Sequence, residues 1–389
     1  MKILNFSTAY GYWGNLDPQC LDDETKGQVG GGETALLNTC FELQKRGHDI
    51  TCAFRCAPGT YRGVKFRPVQ SAQELAYRDR WDTIVSWDNV ELLLPLKGEE
   101  TRLICSNQMN FISPLGRDDD EILFVSPSGA HARLMQAAYG AKRVAAIPNA
   151  LDPPWFADGI TAKRDPYRVV YASSPDRGLH HLLELWPQIH RAEPRAHLHV
   201  YYEIDRWFDL VGRLGKYGDP QMIDVAAVIR RRKQEGLPNV VFEGAKHPRQ
   251  VARDMCRSGV LAYPCDTISF TEGFGTTILQ SYAAGMLPIT TDTDAFGEVY
   301  GSDSDAIPLV GYDNEPNPLV PRSRIADDFA DRVVGAVHIM ASLTRPGWAF
   351  GGPGSQQALL NRYSWEMVGG LWDEVLQGKH VFWPEKEAA

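Results

Sequence analysis

The sequence lacks any apolar run near the roughly 20 residues that a bilayer-spanning helix needs. Its longest apolar stretches, such as Ile84-Val85 and residues 92–96, stop far short, so no transmembrane segment is expected. It also lacks a basic surplus: Lys plus Arg is 40 against 49 Asp plus Glu, a formal net charge of -9. Partners held chiefly through phosphate backbones want a concentrated basic surface, so the acidic balance argues against nucleic acid while leaving peripheral membrane contact and a local basic cleft open. No C-x-x-C pair occurs among the seven cysteines, and Cys52 and Cys56 are the only close two. An odd, scattered set excludes a zinc or disulfide framework and fits reduced thiols in the cytoplasm. Internal repeats and low-complexity tracts are absent as well. The opening residues carry one Lys and a short apolar run broken by Asn5 and Ser7, which reads as a first strand and not as a signal peptide.

What the chain does have is ordinary globular composition, 43% hydrophobic and 23% charged, over 389 residues, enough for two domains. Short β-branched or aromatic runs alternate with amphipathic stretches, the rhythm of right-handed β-α-β units, so the fold class is α/β. Strands are predicted at 2–6, 49–54, 64–69, 83–86, 102–105, 122–125 and 144–147, with helices at 33–46 and 128–139. The proline-rich run 148–167 reads as a linker. Beyond it the rhythm restarts, with strands at 168–172, 197–201, 240–242, 259–263, 288–291 and 306–310, a proline-rich loop at 315–321, and a last amphipathic helix at 364–376. Two doubly wound sheets, residues 1–163 and 164–363, are therefore expected to face each other across a cleft, since ligands bind outside the carboxyl ends of parallel strands.

The segment 267–292 carries the sharpest signal. An acid, Glu272, precedes Gly273-Phe274-Gly275 and a helix that starts near Thr276. Gly275 allows a tight turn, so the amides of Thr276, Thr277 and Ile278 open a helix end with positive partial charge that can hold phosphate. Glu272 is placed to accept hydrogen bonds from a polyol, and Gln280 lies one turn into the helix. A diphosphate with a sugar at each end fits this set.

Taken with Ala284-Gly285 and Leu287-Pro288 after it, the segment resembles the donor-site signature of glycosyltransferase family 4, E-x-F-G-x-x-x-x-E followed by A-x-A-x-G-x-P. Further matches follow the family's order along nearly the whole chain. Gly30-Gly31-Gly32-Glu33-Thr34 resembles its first glycine loop, residues 43–48 its L-x-K-R-G-H helix end, and residues 147–152 the P-N-G-V-D that closes the first domain. Arg177-Gly178, after Ser173-Ser174, resembles the K-G or R-G loop, and residues 240–246 resemble the strand and loop beside the nucleotide base.

The resemblance implies a GT-B architecture of two facing Rossmann-like domains, with the helix over 364–389 crossing back onto the first. It implies a retaining glycosyltransferase that moves a sugar, from a UDP-sugar by default, to a hydroxyl of a glycan, lipid-linked or small-molecule acceptor, with no cofactor and no metal. Glu272 and Arg177 are implied as catalytic, with Asp88 at the acceptor side together with Asn107. Donor contacts are implied at Gly31, Gly32, Ser174, Gly244, Lys246, Gly273, Phe274, Gly275, Thr276, Thr277 and Gln280. Departures are plain: Gln280 stands where the family has Glu, an expected second Arg is replaced by Ser173-Ser174 so that Lys246 becomes the substitute cation, and both acceptor-side histidines are missing around residues 82–88 and 105–110. Asp292-x-Asp294 reads as loop polarity. The pairs His180-His181 and His197-x-His199 read as solvated or packed, the first pointing apart and the second without carboxylate partners. A nucleotide-sugar epimerase or phosphorylase of similar fold, or a silent sugar-nucleotide-binding subunit, are the alternatives at this level.

Overall fold

Two parallel sheets carry the chain, and each closes a unit of its own. The computed structural model describes residues 1–8, 16–97, 100–109, 120–160, 162–214, 220–265, 272–291, 293–300, 309–310, 326–343 and 352–382. The first unit is assembled from three pieces of chain, Met1–Asp152, Phe270–Thr276 and Asn361–Ala389, and the second comprises Pro153–Ser269 and Thr277–Leu360. The division falls at Asp152 and not at the expected residue 163. The reason is visible in the supposed linker, where Pro153–Ile160 forms a 3-10 helix. That turn packs on the second unit's own helix at Pro248–Cys256.

In the first unit the strands are β1 (Lys2–Ser7), β2 (Asp49–Phe54), β3 (Gly59–Tyr61), β4 (Val64–Pro68), β5 (Thr83–Trp87), β6 (Arg102–Ser106), β7 (Ile122–Ser126) and β8 (Val144–Ala146), and the helices are α1 (Gly31–Lys45), α2 (Ala72–Arg78) and α3 (Gly129–Tyr139). The sheet order is β3-β4-β2-β1-β5-β6-β7-β8, parallel except for the β3-β4 pair. Every residue of β5 is buried, as befits a parallel strand covered on both faces. Leu4, Phe6, Ile84, Leu103, Phe124 and Met135 form the centre of the core on one face. Sequence reasoning missed β3. Its hairpin turns through Arg62 and Gly63 at φ 47° and 80°, the two-residue left-handed pair that matches strand twist. Arg62 is an unusual residue there; it is held by an ion pair to Asp22 and lies over the Phe41 ring at 5.0 Å.

The second unit holds β9 (Asp165–Tyr171), β10 (His197–Val200), β11 (Val240–Phe242), β12 (Ser258–Tyr263), β13 (Leu287–Thr291) and β14 (Leu309–Val310) in the order β11-β10-β9-β12-β13-β14. Its helices are α4 (Leu179–Ala192), α5 (Ile204–Leu214), α6 (Pro220–Glu235), α7 (Pro248–Cys256), α8 (Thr276–Ala283), α9 (Phe296–Tyr300) and α10 (Ala326–Ser342). Phe329, Val333 and Val337 of α10 are fully buried, packed toward α4, β9 and β12. Of the predicted strand 306–310, residues 306–308 lie outside the described residues, as do the loop 315–321, Asn110 and Asp292.

The chain leaves through α11 (Gly352–Arg362) and α12 (Trp365–Leu376), and α12 lies against α1 of the first unit. Val368, Trp372, Val375 and Leu376 are buried there, each worth about 1.5 to 3 kcal/mol for the larger apolar side chains. Trp372 stacks on Trp87 with centroids 6.1 Å apart, and His48 meets the Asp373 carboxylate at 3.0 Å. Gly369 permits the close approach: a Cβ there would stand 2.8 Å from Glu42 Cβ.

Candidate functional site

In the second sheet β9 is flanked by β10 on one side and β12 on the other, so the strand order reverses beside it. Such a switch point opens a crevice at the carboxyl ends of the strands. The loop that leaves β9 is built to stay there. Tyr171 Oη donates to the carbonyls of Ser174 (2.7 Å) and Arg177 (3.1 Å), while the Ser174 hydroxyl donates to the Asp176 carboxylate. Gly178 has φ +96°, and a Cβ on it would lie 1.9 Å from Pro264 O, just past β12. Only glycine lets the loop backbone rest on the end of the neighbouring strand. Arg177 is thereby fixed, half-buried, at the start of α4. Thr277 joins the same corner, because its hydroxyl donates to Ala172 O at 2.8 Å. That hydroxyl serves to tie α8 to the end of β9, so its backbone amide is what remains for an anion. Gln280 sits partly exposed further along α8.

The residues just before α8 belong to the first unit. Glu272 is buried, with 4% of its surface exposed. Gly273 lies where a Cβ would be 3.0 Å from Pro127 Cγ and 3.3 Å from His131 Cδ2, and the Phe274 ring meets Tyr363 edge-on at 6.0 Å. Gly275 then turns at φ +80° into the helix. The first-turn amides of α8, which have no partner within the helix, follow directly.

Three further side chains of the first unit converge on one residue, Met109. Asp88, at φ 58° after β5, accepts from the amides of Gln108 (2.6 Å) and Met109 (2.9 Å) through Oδ1. Asn107, only 2% exposed, donates to Met109 O at 2.8 Å. His131, fully buried on α3, bonds the same carbonyl through Nε2 at 3.0 Å. The two expected acceptor contacts are thus largely occupied in holding the 107–109 loop. His131 thus holds the 107–109 loop from α3, and nothing in the local spacing of Ala130-His131-Ala132 signals that contact.

At the N-terminus of α1 the Glu33 carboxylate accepts from Gly30 N at 3.0 Å, so one of the amides expected to face a phosphate is already engaged. Gly31 is exposed with open space above it, and Gly32 is half-exposed. Helix α1 also begins two positions before the predicted residue 33, since the glycines belong to its first turn.

Beyond β11, Gly244 adopts φ +72°, and Lys246 Nζ pairs with Glu243 (2.8 Å) and Asp254 (3.0 Å). Partial burial disfavours the ammonium, yet these two carboxylates hold it above the ordinary lysine range. Its charge is largely spent on them, which makes Lys246 a weak substitute for a second diphosphate-binding Arg. The same network corrects the reading of the histidines: His199 Nδ1 meets Glu243 at 2.6 Å and His197 Nε2 meets Asp165 at 2.9 Å. His180 and His181 do not point apart either, their ring centroids being 3.9 Å from each other.

Burial drives the His131 pKa down to about 4, only partly opposed by the bond to Met109 O. The ring is therefore neutral at pH 7, and since a carbonyl faces Nε2, that nitrogen carries the proton. The folded pKa lies below the ordinary value near 6.5, so the unfolded chain binds the extra proton in between. His131 then contributes stability in full above about pH 6.5, and as the pH falls toward 4 about 3 kcal/mol is lost. Urea unfolding across this window should show that slope in the wild type and a flatter one in His131→Gln, whose amide can still donate to Met109 O. Parallel slopes would rule out His131 as the source.

No protein-family model matches the chain, and no curated protein matches it in sequence. Solved structures do match in fold over nearly the full length. A glycosyltransferase involved in avilamycin A biosynthesis, AviGT4, superposes with a TM-score of 0.60 at 14% identity, covering 97% of this chain and 99% of that one. Sucrose-phosphate synthase from Thermosynechococcus elongatus gives 0.63 at 12% identity, with 97% and 99% covered. HepE from Anabaena, solved with UDP and glucose, gives 0.61 at 14% identity, with 97% and 100% covered. The chain has the α/β GT-B fold of these proteins.

Proposed function

We propose that the protein is a glycosyltransferase that takes a sugar from a nucleoside diphosphate donor, a UDP-sugar by default, and passes it to a hydroxyl acceptor with retention of configuration. The observation that carries this reading is the corner at the β9-β12 switch point, where Gly178 lays the loop that carries Arg177 on Pro264 and the Thr277 hydroxyl ties α8 to Ala172 at the end of β9. A guanidinium with backbone amides is the donor set that matches diphosphate oxygens. The neighbour solved with UDP and glucose adds support for the donor class.

In this reading Arg177 and the amides of Thr276 and Thr277 stabilise the charge that grows on the leaving diphosphate, and Ser174 lines the same loop. Glu272, with the amides of Phe274 and Gly275, orients the sugar hydroxyls, while Gly273 sets the backbone that presents them. Gln280 accepts from the ribose with an amide oxygen, weaker than a carboxylate. Gly244 leaves room beside the base, and Gly31 and Gly32 allow a phosphate to approach the first unit. The leaving phosphate oxygen removes the acceptor's proton on the same face of the sugar, so no protein nucleophile takes part. Catalysis is then positioning and fixed electrostatics. We assign the acceptor side to the first unit, where Asp88, Asn107 and His131 shape the 107–109 loop. All seven cysteines are free, and we place the reaction in the cytoplasm, where thiols stay reduced. Among the described residues no helix is long and apolar enough to cross a membrane.

A panel of UDP-, GDP-, ADP- and TDP-sugars tests the reading, with thermal shift reporting binding and nucleoside diphosphate release reporting transfer. Stabilisation by one donor together with acceptor-dependent release is expected. Binding without release under every acceptor class would make the chain a silent sugar-nucleotide-binding subunit, for which Gln280 is the specific argument. Failure of every donor to bind removes the proposal.

A further inference from the structure

The amino-terminal edge of the first unit's sheet holds a cavity of about 460 Å³. Arg102 opens β6, Leu123 is the second residue of β7 and Val144 opens β8, so the cavity lies at the opposite end of the strands from Asp88 and Asn107. Its size is within the range of small-molecule pockets, roughly 300 to 1,000 Å³. Its lining contrasts with the acidic balance of the whole chain: Arg102, Lys142, Arg143 and Lys379 contribute four formal positive charges, His380 stands beside them, and among the described residues no Asp or Glu lines it. Leu123, Val144 and Phe382 supply an apolar part.

The competing demands on these cations are modest. Arg102 Nη1 donates to the carbonyls of Val375 (3.2 Å) and Leu376, closing the C-terminal end of α12. Gly378, at φ +86°, leaves room for that guanidinium, since a Cβ would sit 3.3 Å from Arg102 Nη2. Arg143 Nη1 donates to Asp120 O at 3.3 Å. Lys142 pairs with Asp120 at 3.1 Å and Lys379 with Glu374 at 3.7 Å, and all four of these side chains are largely in water. Exposed pairs of this kind are worth about 0 to 1 kcal/mol, so either ammonium can turn toward a ligand at little cost. A basic rim over an apolar floor suits a molecule with an anionic head and an apolar body.

We propose that this cavity binds an organic phosphate, with the phosphate on Arg102, Lys142, Arg143 and Lys379 and the apolar portion against Leu123, Val144 and Phe382. A soluble phosphorylated compound and a phospholipid headgroup share that chemistry. The site is separate from the sugar-nucleotide reading and stands or falls without it.

All seven cysteines are buried, so a single cysteine introduced at the exposed Gln136, on the cavity's lip, can be labelled selectively with an environment-sensitive dye. The full chain carrying Gln136→Cys is titrated with phenyl phosphate, with phenol as the neutral control, and with phosphatidylcholine vesicles with and without phosphatidylglycerol. A saturable dye response to phenyl phosphate and none to phenol identifies a soluble ligand. A response to the anionic vesicles alone identifies a lipid headgroup. In either case the pair Lys142→Glu and Arg143→Glu, both at exposed positions, should weaken binding at least about tenfold with an unchanged melting curve. Lys379→Glu serves as the second variant should that pair fail to fold. No response to either probe, or equal binding by the folded charge-reversed protein, overturns the proposal.

Discussion

Replacing Arg177 by Ala lowers donor turnover by a factor of roughly a hundred to a thousand, the usual loss when one preorganised charged or hydrogen-bonding group is withdrawn from a developing anion. The expectation rests on where the loop holds the side chain. Tyr171 pins the carbonyls of Ser174 and Arg177, so the backbone from which the guanidinium projects is already in place when an anion arrives. Arg177→Lys should recover part of the rate, because an ammonium keeps the charge but not the planar two-point contact. Glu272→Ala should cost a similar factor, with the loss showing in kcat more than in donor affinity if the carboxylate acts on the sugar as it reaches the transition state. Nucleoside diphosphate release measured at saturating donor, on variants whose circular dichroism matches the wild type, decides both. Wild-type rates in the two variants would end the site assignment.

The second large effect is on stability. Gly178→Ala should cost about 2 to 5 kcal/mol, combining left-handed backbone strain with overpacking that cannot relax. The obstacle is a backbone carbonyl, Pro264 O, only 1.9 Å from the added carbon, and no side-chain rotation removes it. Gly236→Ala is the internal control: its φ of +73° carries comparable strain, but nothing lies within 4 Å of the new carbon. Urea or calorimetric unfolding should therefore rank Gly178→Ala well below Gly236→Ala, and equal losses would mean that the loop does not rest on β12 as described. A folded remnant of Gly178→Ala should also bind donor poorly, since the displaced loop carries Arg177.

Most of the architecture was legible because parallel strands buried on both faces read as short apolar runs, and because Gly47 and Gly140 stop α1 and α3 where the pattern ends. Strand positions came out within a few residues, with β2 and β11 as predicted. What stayed hidden depends on contacts distant in sequence. The hairpin at β3 is three residues long and uses an Arg at positive φ whose partners, Asp22 and Phe41, are far along the chain. Pro153–Ile160 has the composition of a linker, and only its packing on α7 makes it part of the second unit. The turn at Gly275 and the start of α8 at Thr276 lie where the sequence places them, whereas the burial of Asn107, the pairing of Lys246 and the placement of His131 against Gly273 were not legible. A side chain's type says what it can offer, but its neighbours decide whether the offer is already taken.

The way the first unit closes has a consequence for how the chain emerges during synthesis. Helix α1 and the strand bearing Trp87 are made early, yet the α12 surface that covers them is translated only after the entire second unit. Until then the apolar flank of α1 stays wet, and the early segment waits on the ribosome as an incomplete body while the later sheet, nested inside it, can finish first. Ribosome-stalled chains ending before residue 361 should accordingly be cleaved within their first 150 or so residues by proteases that spare the finished protein.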